Sequence, residues 1–205
     1  MAMGTIKING IPFLSMTTRA LSCRTLQPLT SQTNESHRSA IDDVLRICNG
    51  ANFIVKSIHC DRECESLFDP IADDMGIDMI CAPAQAHVPK VERSNRVIKE
   101  RVRSVFHRLP FRAIPSVVIR FLVMDSTNEL NCFPQKGGMS PHFSPRTILT
   151  GKKLDHKKHC SIPFGTHVQA QTEPKVKNSM DARTIDGIHL PESVQPQVAE
   201  FSVGV

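Results

Sequence analysis

The chain has 205 residues, 40% of them apolar, which is enough to bury a core and excludes disorder throughout. Its formal net charge of +5 is mild, and its ten Phe with no Trp or Tyr argue against a base-stacking platform of the single-strand-binding kind. Its longest apolar stretch, Val117 to Met124, is broken by Arg120 and is too short for a membrane span, so no membrane partner is expected.

The N-terminal residues show no secretory signal. With seven scattered cysteines, an odd number, a reduced intracellular chain is the expectation. Charge is more telling by position. Residues 60–80 hold seven acids and one Arg, a net of −6, and residues 87–120 hold nine Lys or Arg and two Glu, a net of +7. A further +4 lies in 146–160. An acidic segment followed by a basic one suits a site that takes a cation and then a polyanion. On charge alone, two solvated faces of opposite sign explain it as well.

In chain order, Ile11 to Thr18 and Ala20 to Thr25 read as short strands ended near Pro28. Thr33 or Asn34 can cap a helix on which His37, Ile41, Val44, Leu45 and Cys48 recur at helical spacing, with Gly50 as the stop. FIVKSIHC (53–60) is rich in β-branched residues and reads as a strand. Residues 64–75 read as a short helix ended by Gly76, and IDMIC (77–81) as another strand. Strands alternating with helices predict an α/β fold.

Pro89 suits a first helical turn and Leu109–Pro110 closes the element. Between them Val91, Asn95, Ile98, Val102 and Val105 step by four and three, a stripe expected to be buried. Glu92, Arg96, Lys99 and Arg103 fall beside that stripe, so one carboxylate heads a basic ridge. A second helix, from about Pro115 to Asn131, is apolar nearly all round and reads as core. Gly137–Gly138 and Pro141 and Pro145 mark a loop. Beyond it only THVQAQ and GIHL give weak strand signals.

Asp61 closes a predicted parallel strand, where open α/β sheets place their sites. Glu92 lies 31 residues on, at the head of a long helix. Two such carboxylates can hold Mg²⁺ through oxygen ligands, and such an ion activates water or a hydroxyl in phosphoryl transfer. A solvated surface acid is the commoner role for either residue alone.

The segment VKSIHCDRECE (55–65) resembles the strand that ends in the second catalytic Asp of retroviral and retrotransposon integrases. The segment AHVPKVERSNRVIKERVR (86–103) resembles the helix carrying their catalytic Glu. With NGIPFL (9–14), LPF (109–111), FP (133–134), KKHC (157–160), FG (164–165) and ART (182–184) in colinear order, residues 5–190 resemble the integrase region of a Copia-type retrotransposon polyprotein.

The resemblance implies an RNase H-like mixed sheet flanked by helices over residues 1–134, with its first strand partly truncated. Residues 135–205 would be a loop and a small β-rich or partly ordered appendage. It implies nucleic-acid binding, Mg²⁺- or Mn²⁺-dependent DNA strand transfer into a target, a nuclear location and DNA as partner, with self-association into a homo-oligomer left open. Carried over by position, Asp61 and Glu92 would be catalytic and metal-binding, while Asn95, Arg96, Lys99 and Arg103 would face DNA.

The family's first Asp falls at Gly4, and Lys90 stands where similar elements carry an acid. The zinc-binding module and the reverse transcriptase of such elements are not in this sequence. The expectation is therefore a truncated, catalytically degenerate fragment, or else a non-catalytic nucleic-acid-binding relic.

Other conspicuous residues read more plainly. His59, Cys60 and Cys64 lack a second closely spaced pair, and His156, His159 and Cys160 lack finger-type spacing, so no zinc site is expected. Asp42, Asp43, Asp73 and Asp74 read as exposed helix acids and Asp78 as the outward residue of a strand. No nucleophile elbow or Gly-rich phosphate loop appears.

Overall fold

In the computed structural model, residues 1–61, 76–83, 88–171 and 183–190 are described. Strand β1 (Ala2–Ile8) folds back on β2 (Ile11–Thr17) through Asn9 and Gly10, both at positive φ (49° and 79°). This two-residue turn matches the right-handed twist of the strands it joins, and Asn-Gly is its favoured pair. Strand β3 (Arg24–Pro28) pairs antiparallel with β2, Thr17 opposite Arg24. The strand expected over Ala20–Thr25 is thus displaced. Residues 18–23 instead form a turn, in which Ser22 takes a positive φ of 54° and the Cys23 N–H donates to Thr18 Oγ1 at 2.9 Å.

Helix α1 (Asn34–Gly50) is capped by Thr33, whose hydroxyl accepts from the Ser36 N–H, and buries His37, Ile41, Val44, Leu45 and Cys48 as its spacing predicts. Strand β4 (Ser57–Cys60) covers only the second half of the predicted strand. It runs parallel both to β1, with Met3 opposite Cys60, and to β5 (Asp78–Cys81). The sheet order is β3-β2-β1-β4-β5. Three antiparallel strands therefore come before the first helix, which is not the strict alternation read from the sequence. The helix expected over 64–75 lies outside the described residues.

Helix α2 (Pro89–Arg108) and helix α3 (Ser116–Asn131) cover the other face of the sheet. Strand alternation sorts the core. Met3, Leu14, Met16, Ile58 and Cys60 point at α1, while Ile6, Phe13 and Leu26 point at α2 and α3. Each fully buried large side chain, such as Phe13, is worth about 2–3 kcal/mol of burial.

On α2 the buried stripe is Val91, Ser94, Ile98, Val102 and Val105. Ser94 takes the place expected for Asn95 because Thr17 Oγ1 donates to its hydroxyl across a buried 3.0 Å gap. Helix α3 is not core all round: Ile119, Leu122, Val123 and Met124 are buried, but Val117 is 56% exposed. Its last turn is tied to β3 by Asn131, which accepts from the Arg24 N–H and donates to the Arg24 carbonyl.

Two short helices, α4 (Pro145–Thr150) and α5 (His156–His159), precede a hairpin of β6 (His167–Gln171) and β7 (Thr184–Ile188), where the weak strand signals stood. Phe164 and Leu190 pack against the α2–α3 core, so this region is anchored to the sheet layer. Among the described residues, no helix is long and apolar enough to cross a membrane.

Candidate active site

Asp61 follows β4 at the carboxyl end of two parallel pairings, β1 with β4 and β4 with β5. Cys60 points at α1, so the pleat turns Asp61 to the side covered by α2. There Asp61 Oδ1 accepts the Val88 N–H at 3.1 Å, the residue that caps α2. The same Val88 carbonyl accepts from the N–H groups of Val91 and Glu92 at 3.0 and 3.2 Å. Asp61 is therefore fastened to the helix head that displays Glu92, whose side chain is exposed in the first turn.

Gly4 completes this corner. It continues the register of Met3 with Cys60, so it lies beside Asp61. A Cβ on it would stand 3.7 Å from Asp61 Oδ2, and 3.3 and 3.5 Å from the Val91 methyls. Position 4 thus faces the place where Asp61 and the α2 head meet.

A divalent cation fits this corner poorly. Asp61 has one oxygen committed to the Val88 N–H, Gly4 offers no ligand, and among the described residues no three His, Cys, Asp or Glu side chains group closely enough to hold a metal ion. Glu63, Glu65 and Cys64 lie outside the described residues. Cys60 is fully buried toward α1, and His156 stacks on Phe133 with ring centroids 5.5 Å apart.

The basic ridge is exposed at Arg96, Lys99 and Arg103. Arg96 Nε donates to Glu100 Oε1 at 3.0 Å, an exposed pair one helical turn apart, which offsets part of its charge. Lys99 and Arg103 border a cavity of about 330 Å³ together with Lys7 and Asn9 of the β1–β2 hairpin and Phe106. Asn95 is half-buried, with its Oδ1 enclosed and unpartnered, so it does not share the open face of the three cations. Lys7 is the cation that sequence reasoning misses.

No family model matches the chain, and no curated protein is similar to it in sequence. Among solved structures, the catalytic core domain of BIV integrase is similar over 73% of this chain and 92% of that one, with a TM-score of 0.53 and 14% identity. The fold is RNase H-like. At this identity the likeness concerns the path of the chain, which is the five-stranded mixed sheet with helices on both faces found here.

Proposed function

We propose that this integrase-like fold binds nucleic acid through the α2 ridge and does not carry out strand transfer, as a retrotransposon-derived core of Copia type would after losing its first acid. The observation that carries the reading is Gly4. A Cβ there would stand 3.7 Å from Asp61 Oδ2, and glycine supplies no ligand. In-line phosphoryl transfer needs carboxylates that gather two dications about 3.5–4 Å apart, and Asp61 with Glu92 is too small a set. With most of its coordination left to water, Mg²⁺ would be weakly held.

Binding is supported by Arg96, Lys99 and Arg103 on one exposed helix face, with Lys7 across the adjoining cavity. Cations so placed meet phosphates and carry no base readout, so DNA would be held without sequence preference. The test is fluorescence anisotropy with duplex DNA over a salt series. Replacing Arg96, Lys99 and Arg103 by Ala should lower affinity about tenfold or more at low salt and flatten the salt slope by up to about three phosphate contacts. Binding unchanged by the triple substitution overturns the reading. Strand transfer with Mn²⁺ that needs Asp61 and Glu92 overturns its catalytic half.

A further inference from the structure

The start of β3 holds a cation that, among the described residues, faces no carboxylate. Arg24 Nε and Nη1 are enclosed without a hydrogen-bond partner, and its backbone is clamped on both sides by Asn131. Burial lowers its pKa, and no carboxylate acts against that shift. The side chain borders a cavity of about 390 Å³ whose wall also holds Lys90 and Arg93 from the head of α2, Lys136 from the loop after α3, and the hydrogen-bonded pair Thr17 and Ser94. Among the described residues, no acidic one lines it. Lys90 is shifted downward as well, by burial first and then by Arg19 and Arg24.

Four cations drawn from three separate segments stand around one hollow, and among the described residues only the Arg19 carbonyl, which accepts from Lys90 Nζ, acts against their mutual repulsion. A multivalent anion would offset it. The exposed Arg93 guanidinium suits paired oxygens, and the enclosed Arg24 and two ammonium groups add charge around it. The cavity lies over β2 and β3, through Thr17 and Arg24, whereas Asp61 and Val91 meet over β4 and β1. It is thus distinct from the candidate active site and from the exposed ridge.

We infer that this cavity binds a phosphate monoester dianion, with Arg93 as its fork and Lys90, Lys136 and the enclosed Arg24 as surrounding charges. The same chemistry is offered by free phosphate and by the 5′-phosphate of a nucleic-acid strand.

Calorimetry and thermal melting of the full chain against inorganic phosphate, at ionic strength matched with chloride, test the inference. Saturable binding is expected. The Arg93→Ala/Lys136→Ala pair should weaken it at least about tenfold, and Lys99→Ala/Arg103→Ala should leave it within about twofold. Arg24→Met should weaken the phosphate response while keeping or raising the melting temperature without phosphate, since it removes an unpaired enclosed charge. A short strand with a 5′-phosphate that binds more tightly than its 5′-hydroxyl counterpart, and is displaced by phosphate, assigns the strand end as the source. Equal binding of the two strands assigns free phosphate. No saturable phosphate binding, or equal weakening by both double substitutions, overturns the inference.

Discussion

A side chain at position 4 would begin 3.7 Å from Oδ2 of Asp61. Gly4→Asp therefore places a second carboxylate against the first. Unscreened repulsion between them should cost about 1–4 kcal/mol without metal. The Val91 methyls, at 3.3 and 3.5 Å, must yield by a few tenths of an ångström. Calorimetry should show Mn²⁺ binding at least about tenfold tighter than in the parent chain. Adding Asp61→Asn should remove the gain. A variant that folds but gains no Mn²⁺ affinity would show that positions 4 and 61 do not share a ligand.

The Thr17–Ser94 hydrogen bond pins α2 to β2 inside the core. Ser94→Ala leaves the Thr17 hydroxyl buried and unpaired and should cost about 1–3 kcal/mol in urea unfolding. Thr17→Val in the same chain should recover much of that loss, because both polar groups are then gone. A purely additive double variant would mean the two hydroxyls do not interact.

Asp125, on α3, has its carboxyl pushed from 3.8 up to about 6, chiefly by burial and then by Glu129, with Arg101 acting the other way. The native state holds this proton more tightly than the unfolded chain does. Its ionisation thus costs nothing below pH 3.8, and the full cost is reached only above about pH 6. Asp125→Asn should be more stable than the parent at pH 8 by about 1–2 kcal/mol, allowing for the solvent that still reaches the group. The difference should vanish by about pH 4. An advantage that stays constant with pH would assign the effect to packing.

Among the cysteines, Cys160 is exposed, whereas burial raises the Cys23 thiol to about 12. Iodoacetamide at pH 8, followed by peptide mass mapping, should modify Cys160 more than about a hundredfold faster than Cys23. Comparable rates would mean that β3 opens readily under native conditions.

Much of this architecture is written locally. The four-and-three stepping of Val91, Ile98, Val102 and Val105 marks α2 without reference to any other segment, and Thr33 and Gly50 bound α1 in the same way. Periodicity, caps and stops act within one or two helical turns, so the amino-acid order alone determines them. The exposure of Arg96, Lys99 and Arg103 follows from the same wheel.

Elements that depend on a partner strand were harder to read. The extent of β3 was decided by the register that sets Thr17 against Arg24, and that of β4 by pairing with β5, so 20–23 and 53–56 fell outside. Ser94 replaced Asn95 in the buried stripe because Thr17 offers it a hydroxyl from a residue 77 positions away.

Tertiary structure alone decided the two chemical corners. Gly4, Asp61 and Val88 meet because β1 and β4 run side by side under the head of α2. Arg24, Lys90, Arg93 and Lys136 converge because that same helix head also overhangs β2 and β3. Each residue's direction is set by its own strand or helix, but its neighbours are set by the sheet order, and chain-distant contacts leave no periodic trace in a single sequence.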